Sequence, residues 1–264
     1  MHHSWIPTGS AASGFLAPGG SGAGGATDGV RVTVLYDNSV FEHGTRSDWG
    51  FSCLIEGLEK TILFDTGTRP EILMHNVSRL GVDLHTLDTV VISHDHYDHT
   101  GGLLACLKVH PRVTVFLPAS FPPAFVRRVE ASGAVVRTVG PPEPVCEDAW
   151  LTGEMGDRIK EQGLVMKRPG GGILITGCSH PGIVTLIERA EEILGGPTTV
   201  VFGGFHLMDV DAEGMHDLIE RFRERGVKIV GPTHCTGDEQ IAIFREAFDE
   251  EALVMGTGRR LVLT

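Results

Sequence analysis

The sequence has no long apolar run, no excess of basic residues and no paired-cysteine motif. No apolar stretch approaches the ~20 residues that a membrane-spanning helix needs, so we expect no membrane partner. The formal net charge is -12 at pH 7, whereas a general nucleic-acid-binding protein usually presents a basic face, so we expect no nucleic-acid partner. The N-terminus lacks a basic segment followed by an apolar one, which predicts no secretory signal and a cytoplasmic location.

The five cysteines include no C-x-x-C pair. Their odd number argues against a disulfide framework and fits a reducing compartment. Cys53, Cys106 and Cys235 are expected to be small buried residues rather than nucleophiles. The composition, 41% hydrophobic and 21% charged, is typical of a soluble globular protein with one large domain or two small ones.

Glycine, serine and alanine dominate the segment from Thr8 to Gly29. Such a segment has too little apolar content to offset the entropy cost of ordering the chain. We therefore predict a disordered tail over residues 1–29 and a folded domain over residues 30–264.

Apolar runs bounded by turn residues predict a series of strands, and longer periodic segments predict helices. The predicted strands are 30–36, 51–56, 61–64, 89–93, 113–117, 134–139, 149–152, 164–167, 173–176, 198–202, 227–230, 253–255 and 260–263. The predicted helices are 70–80, 123–131, 211–225 and 238–248, with two further helices ending at 109 and 194. Residues 140–148, rich in proline and acidic residues, are predicted to form a loop.

One unit recurs in the chain: an apolar strand, a turn carrying glycine or histidine, and a helix. It occurs at 89–109, 173–194, 198–225 and 227–248. Because open α/β sheets bind ligands at the carboxyl ends of their strands, these turns predict one shared site. Together with the hairpin strands earlier in the chain, the units indicate two sheets packed between helices.

The segment 94–99 places three histidines and two aspartates in six residues, directly after a predicted strand. Neutral imidazole and carboxylate are the usual ligands of zinc and similar first-row metals. The alternating His94 and His96 can bind one ion, and Asp98 and His99 can turn toward a second. The pattern therefore predicts a metal site at the end of a buried strand.

This motif, His94-x-His96-x-Asp98-His99 followed by Thr100-Gly101-Gly102, resembles the signature of the metallo-β-lactamase superfamily. The upstream run Leu63-Phe64-Asp65-Thr66-Gly67 is similar to the first motif of that superfamily. Further segments resemble one subfamily, related to the dihydropterin–ribofuranosylaminobenzene phosphate synthase of methanopterin biosynthesis. These segments are 35–38, 49–52, 177–182, 203–207 and 232–235.

The resemblance implies an α/β fold, a four-layer αββα sandwich with one or two metal ions at the sheet edge. A histidine from the second half normally completes each ion site, and His180 and His234 are the candidates. Cys178 stands where many relatives carry an aspartate in a Gly-Asp pair. A thiolate ligand and a small buried residue are both open for it, and Glu154 is a further candidate ligand.

Two other residues are assigned supporting roles. Asp65 is expected to orient a metal-bound histidine, since such histidines usually donate their other N–H to a carboxylate or carbonyl. His206 can bind metal, donate a proton or hold a substrate oxyanion, and we favour an acid or substrate-binding role.

These residues predict a metal-dependent hydrolase of a small anionic ester, with a phosphoester favoured and a metal-bound hydroxide as the nucleophile. Asp98 would orient the nucleophile and take its proton, and His206 would protonate or stabilise the leaving oxygen. Two Zn²⁺ ions are the expected cofactor, with iron and manganese as alternatives. The oligomeric state is left open, with a dimer as one option.

Two alternatives stay open. The resemblance implies a metal-dependent transferase of the dihydropterin/ribofuranosylaminobenzene phosphate type, with Trp49, Phe51, Tyr97 and Phe205 lining an aromatic pocket. The scarcity of aromatic residues, 6% of the chain, weighs against it. A di-iron redox protein or a metal sensor is the third reading, because carboxylate–histidine sites also hold iron.

Overall fold

The computed structural model describes residues 29–263. Residues 1–28, which make up nearly all of the predicted tail, lie outside the described residues. Within the described part, the strands are β1 (Val30–Tyr36), β2 (Ser52–Glu56), β3 (Ile62–Phe64), β4 (Thr89–Val91), β5 (Thr114–Pro118), β6 (Val135–Val139), β7 (Glu143–Cys146), β8 (Ala149–Leu151), β9 (Leu164–Met166), β10 (Gly172–Thr176), β11 (Thr198–Gly204), β12 (Ile229–Thr233) and β13 (Arg260–Leu263). The α-helices are α1 (Pro70–Leu80), α2 (Tyr97–Thr100), α3 (Leu103–Val109), α4 (Pro123–Glu130), α5 (Ile183–Leu194), α6 (Ala212–Glu224) and α7 (Asp238–Phe248).

The strands form two sheets. The first has the order β13-β1-β2-β3-β4-β5-β6, and the second has the order β12-β11-β10-β9-β8-β7. Pairing is parallel from β3 to β6 and from β10 to β12, whereas the hairpin strands of each half pair antiparallel. Each parallel segment therefore delivers several strand ends to one edge of its sheet.

Alternation of side chains along the strands divides the core into three layers of apolar contact. In β10, Ile173 and Ile175 join the cluster between the two sheets, while Leu174 faces the helices that cover the second sheet. Helices α1, α3 and α4 cover the outer face of the first sheet, and α5, α6 and α7 cover that of the second. The predicted four-layer αββα sandwich is confirmed.

Two local predictions are wrong. Residues 140–148 contain β7, which pairs with β8 at the edge of the second sheet. Pro144 is tolerated there because an edge strand has one side without ladder hydrogen bonds. The predicted strand at 253–255 is extended but joins no ladder: its side chains at Leu253 and Met255 pack between the sheets, and the Leu253 amide bonds to the Val230 carbonyl at 2.7 Å.

The helix predicted to end at 109 is two helices, broken at Gly101 and Gly102. A Cβ atom on Gly101 would lie 1.9 Å from the Thr68 carbonyl oxygen, and one on Gly102 would lie 2.4 Å from that of Thr66. The glycines therefore allow the loop after β3 to approach the backbone that follows the histidine-rich motif.

Among residues 29–263, no helix combines the length and apolar content that crossing a membrane requires.

Candidate metal centre

Strand ends from both sheets bring the predicted ligands together. His94 follows β4 of the first sheet, whereas Cys178, His206 and His234 follow β10, β11 and β12 of the second. The candidate donor atoms form three groups, and within each group they lie within 4.8 Å of one another. The turns after the strands therefore meet at a single site, as ligand-binding turns do at the carboxyl ends of α/β sheets.

The first group contains three imidazoles, those of His94, His96 and His180. His94 Nε2 and His96 Nδ1 are 3.0 Å apart. The ring centroid of His180 lies 4.9 Å from that of His94 and 5.0 Å from that of His96. Three imidazoles at this spacing are a suitable ligand set for one zinc-like ion.

The second group contains Asp98, His99, Cys178 and His234. Asp98 Oδ2 is 3.2 Å from His234 Nε2 and 3.5 Å from His99 Nε2, and Cys178 Sγ is 3.3 Å from His99 Nε2. The rings of His94 and His99 are 4.2 Å apart between centroids. The two groups therefore lie side by side, and the thiol of Cys178 belongs to the second.

Cys178 also belongs to a third group, with His206 and Cys235. Both thiols are buried, whereas His206 is exposed and packs on His180 at 4.4 Å between ring centroids. The structure thus places His206 at the outer side of the centre.

Asp65 contacts His99 directly and His94 through Ser93. Its Oδ2 is 2.7 Å from His99 Nδ1 and accepts a hydrogen bond from Ser93 Oγ at 2.7 Å. Ser93 Oγ lies 2.9 Å from His94 Nδ1. Because both Nδ1 atoms have partners, the Nε2 atoms are left to face the donor groups. Asp65 therefore contacts a candidate ligand histidine, His99, as the sequence predicts.

Asn38 plays the corresponding part for His234. Its Oδ1 is 3.1 Å from His234 Nδ1, and its Nδ2 donates to the His234 carbonyl at 2.9 Å. The neighbouring Asp37 is fully buried and accepts the Thr233 hydroxyl at 2.6 and 2.8 Å with its two oxygens. The segment 35–38 carries part of the subfamily resemblance, but the sequence does not indicate these contacts, because the partners lie 196 positions along the chain.

Glu161 is a residue that the sequence motifs do not reveal. It is fully buried and accepts backbone hydrogen bonds at 2.8 Å from the amides of Cys178, Ser179 and His180. Burial raises the pKa of this carboxyl to about 7, against the lowering effect of the three amides. In the sequence, Glu161 is a single acidic residue shortly before the apolar strand β9. Its contact with the turn at 178–180 could therefore not be predicted.

Left-handed backbone conformations concentrate at the site. Asp65, Ser179, His206 and His234 have φ angles of 55°, 65°, 53° and 53°. In the described part of the chain, Asp249 is the one other non-glycine residue with positive φ. Such conformations are uncommon and persist where the surrounding structure imposes them, often at functional sites.

The electrostatic environment keeps the first group neutral. Burial lowers the pKa of His94, His96 and His180, and for His180 the neighbouring His206 adds to this and brings the pKa to about 4. Neutral imidazole is the form that binds metal. Burial also acts to lower the pKa of His99, but the charge and hydrogen bond of Asp65 outweigh it and raise that pKa to about 9.

The donor set fits the metal ions that such a site implies. His180 Nε2 and His234 Nε2 are buried and have no hydrogen-bond partner within the described residues, although His234 Nε2 lies near the Asp98 carboxylate. Buried polar atoms normally have a partner, because leaving one unsatisfied costs free energy. Coordination would satisfy both nitrogens, and imidazole, carboxylate and thiolate together suit zinc and related first-row metals.

Five residues proposed from the sequence belong to none of these groups. Glu154 Oε2 accepts a hydrogen bond from the Ser120 amide at 2.6 Å and belongs to none of the donor groups. Phe51 and Phe205 are buried in the core clusters, so the prediction that they line a pocket is wrong. Trp49 is 46% exposed with its ring 4.9 Å from that of His234, and Tyr97 is 66% exposed.

Known proteins are similar to this chain in sequence and fold. Residues 60–145 match a family described as a beta-lactamase superfamily domain. An uncharacterized protein of Methanocaldococcus jannaschii is 30% identical over 78% of this chain and 90% of its own length. The 7,8-dihydropterin-6-methyl-4-(beta-D-ribofuranosyl)-aminobenzene-5'-phosphate synthase of the same organism is 29% identical, over 86% of this chain and 94% of its own.

A solved structure of Tm1679, described as a metal-dependent hydrolase of the beta-lactamase superfamily, superposes with a TM-score of 0.75. It is 28% identical to this chain, covering 88% of it and 98% of Tm1679. The αββα sandwich and the histidine-rich centre at its sheet edge define a class of metal-centred enzymes. The chain belongs to the metallo-β-lactamase superfamily.

Proposed function

We propose that the protein is a metal-dependent hydrolase of a small anionic ester, with a phosphoester as the favoured substrate class. The observation that carries this proposal is the pair of adjacent donor groups in one site. Two Zn²⁺ ions are the proposed cofactor, with iron or manganese as alternatives. When bound, such ions lower the pKa of water and polarise the scissile phosphoryl or carbonyl oxygen.

Asp98 is the proposed base. Its side chain is 18% exposed, and its Oδ2 lies beside His99 and His234. Burial would raise the pKa of Asp98, but the close approach of His234 Nε2 to its Oδ2, at 3.2 Å, and the charges of His99 and His234 lower that pKa below its usual value. The carboxylate is therefore ionised and able to orient a water molecule and accept its proton.

His206 is the proposed acid. Its imidazole is exposed beside His180, at the outer side of the first donor group. Contact with Cys235 raises the pKa of His206 above its usual value, against the effect of burial. A larger protonated fraction near neutral pH suits donation of a proton to a leaving oxygen.

The test is turnover of a panel of phosphomonoesters, phosphodiesters, lactones and thioesters by the metal-loaded protein. Asp98→Asn should lower kcat/KM by about 10²–10⁴-fold, a typical contribution of general acid–base catalysis. Asp95→Asn is the matched control, because Asp95 lies in the same turn, is exposed and belongs to no donor group. Turnover by Asp98→Asn at the wild-type rate, or no turnover of any ester by the wild type, would contradict the proposal.

The acid role of His206 has its own test. His206→Gln should slow the hydrolysis of esters with poor leaving groups, while p-nitrophenyl esters, which need no proton, should react nearly as before. An equal loss of rate on both kinds of ester would contradict the assignment.

A transferase is the second candidate, supported by two observations. The M. jannaschii synthase matches nearly its whole length to this chain. Trp49 is exposed and its ring lies against His234, where a flat heterocycle can stack, and the exposed Tyr97 follows His96 in the chain.

Calorimetric titration with 7,8-dihydropterin tests this candidate. Binding that is lost in Trp49→Ala and kept in Phe41→Ala, together with no hydrolysis of the ester panel, would favour the transferase over the hydrolase. Phe41 is a suitable control because it is 44% exposed and packs on Arg259 instead of the donor groups. No binding by the wild type would count against the transferase.

A further inference from the structure

Two of the five cysteines lie together at the inner side of the metal centre. Cys178 Sγ and Cys235 Sγ belong to one donor group and lie within 4.8 Å of each other. Cys235 Sγ is also 3.6 Å from the Cys178 carbonyl oxygen. The remaining cysteines, Cys53, Cys106 and Cys146, belong to β2, α3 and β7, and none of them joins a donor group.

Gly204 provides the space in which the two thiols meet. A Cβ atom at this position would lie 2.7 Å from Cys235 Sγ and 3.2 Å from Cys178 Cα. Any larger residue would therefore push one cysteine away from the other. Glycine at position 204 therefore allows the two cysteine side chains to lie close together.

His206 links the buried cysteine pair to the surface of the protein. Cys178 and Cys235 are each 3% exposed, but His206, in the same donor group, is exposed. One of its ring nitrogens lies within 4.8 Å of both sulfur atoms.

We propose that Cys178 and Cys235 are a reversible oxidation site that hydrogen peroxide converts to a disulfide, withdrawing Cys178 from the metal centre. The Cys235 sulfur attacks one peroxide oxygen, forming a sulfenic acid and releasing one water. The Cys178 sulfur then attacks that sulfenic sulfur, forming the S–S bond and releasing a second water. Two sulfur atoms are oxidised by one electron each, and one peroxide is reduced to two waters.

Disulfide formation would remove a ligand from the metal centre. A sulfur engaged in a disulfide no longer has a thiolate to offer a metal ion. The loss of metal rests on the proposed ligand role of Cys178, whereas formation of the bond does not. The two parts can therefore fail separately.

The test treats the metal-loaded protein with a small excess of peroxide and counts thiols with a chromogenic disulfide reagent after denaturation. The wild type has five thiols and should lose two of them, with a mass decrease of about 2 Da that dithiothreitol reverses. Peptide mapping should join the fragments that contain Cys178 and Cys235. Metal content, measured by mass spectrometry after desalting, should fall on oxidation and be restorable after reduction.

Two variants sharpen the test. Cys235→Ala should keep all of its remaining thiols under the same treatment, whereas the control Cys106→Ala, a buried thiol in α3, should lose two. Peptide mapping of the wild type gives the answer even where a variant folds poorly. A mass increase in place of the decrease, a link between other cysteines, or thiol loss in Cys235→Ala equal to that of the wild type would overturn the oxidation site. Disulfide formation with full retention of metal would overturn the withdrawal of Cys178 from the centre.

Discussion

At the scale of single residues, the candidate ligands and the supporting Asp65 could be predicted from sequence motifs, whereas the contacts of Glu161 and Asn38 could not. The motif at 94–99 predicts a metal site because clustered histidines and aspartates at a strand end are typical metal ligands. Glu161 carries no such signal, since a lone acidic residue occurs throughout any sequence, and the motif segment 35–38 does not indicate that Asn38 contacts His234. Their partners lie 17–19 and 196 positions away, and only the folded chain shows the contact.

Glu161→Gln should weaken both the fold and metal binding. Glutamine has one oxygen in place of two, so it cannot accept all the amides of the turn at 178–180. We expect a loss of about 1–3 kcal/mol of unfolding free energy and a loss of about 10–100-fold in metal affinity. Urea unfolding and competitive chelator titration measure the two effects.

Glu154→Gln is the matched control, because Glu154 accepts an amide hydrogen bond away from the donor groups. Its unfolding free energy should change by less than about 0.5 kcal/mol, as is usual for surface positions. Equal effects of the two substitutions would show that Glu161 does not position the ligand turn.

At the scale of elements, the strand–turn–helix units were predictable because their apolar strands, glycine turns and amphipathic helices agree with one another. The exceptions have local causes. The prolines around β7 suggest a loop, but β7 is an edge strand, in which a proline without a backbone N–H is tolerated. Residues 253–255 alternate like a strand because they fill the gap between the sheets, yet they pair with no ladder.

Gly101→Ala should destabilise the protein and lower its metal affinity. The added Cβ would lie 1.9 Å from the Thr68 carbonyl oxygen, which belongs to backbone and cannot rotate away. The loop after β3 and the ligand motif must then separate, and we expect a loss of about 1–3 kcal/mol or more. Thermal and urea unfolding measure this change, and metal affinity should fall with it.

Gly196→Ala provides the comparison, because a Cβ atom there would meet nothing within 4 Å. Its stability should equal or slightly exceed that of the wild type. If Gly101→Ala were as stable as Gly196→Ala and held metal equally well, the close approach would not matter for the site.

At the scale of the whole molecule, the site exists because two sheets meet. The first sheet supplies His94, His96, Asp98 and His99, and the second supplies Cys178, His180 and His234. The sequence indicates that the two halves share a site, since each unit ends in a histidine-bearing turn. It does not indicate the distances, which depend on how the sheets pack through the core between them.

The identity of the metal is a property of the whole centre. A His/Asp/Cys donor set accepts zinc and also iron. Iron accompanied by a visible absorption band would favour the redox or sensor reading, and zinc would favour the hydrolase.

The most direct measurement is the metal stoichiometry of the desalted protein, by mass spectrometry. The wild type should hold about two ions per chain, while His180→Ala and His234→Ala should each hold about one, because each removes a ligand from a different group. His216→Ala, in α6 and outside the donor groups, should match the wild type. Retention of both ions by His180→Ala and His234→Ala alike would contradict the account.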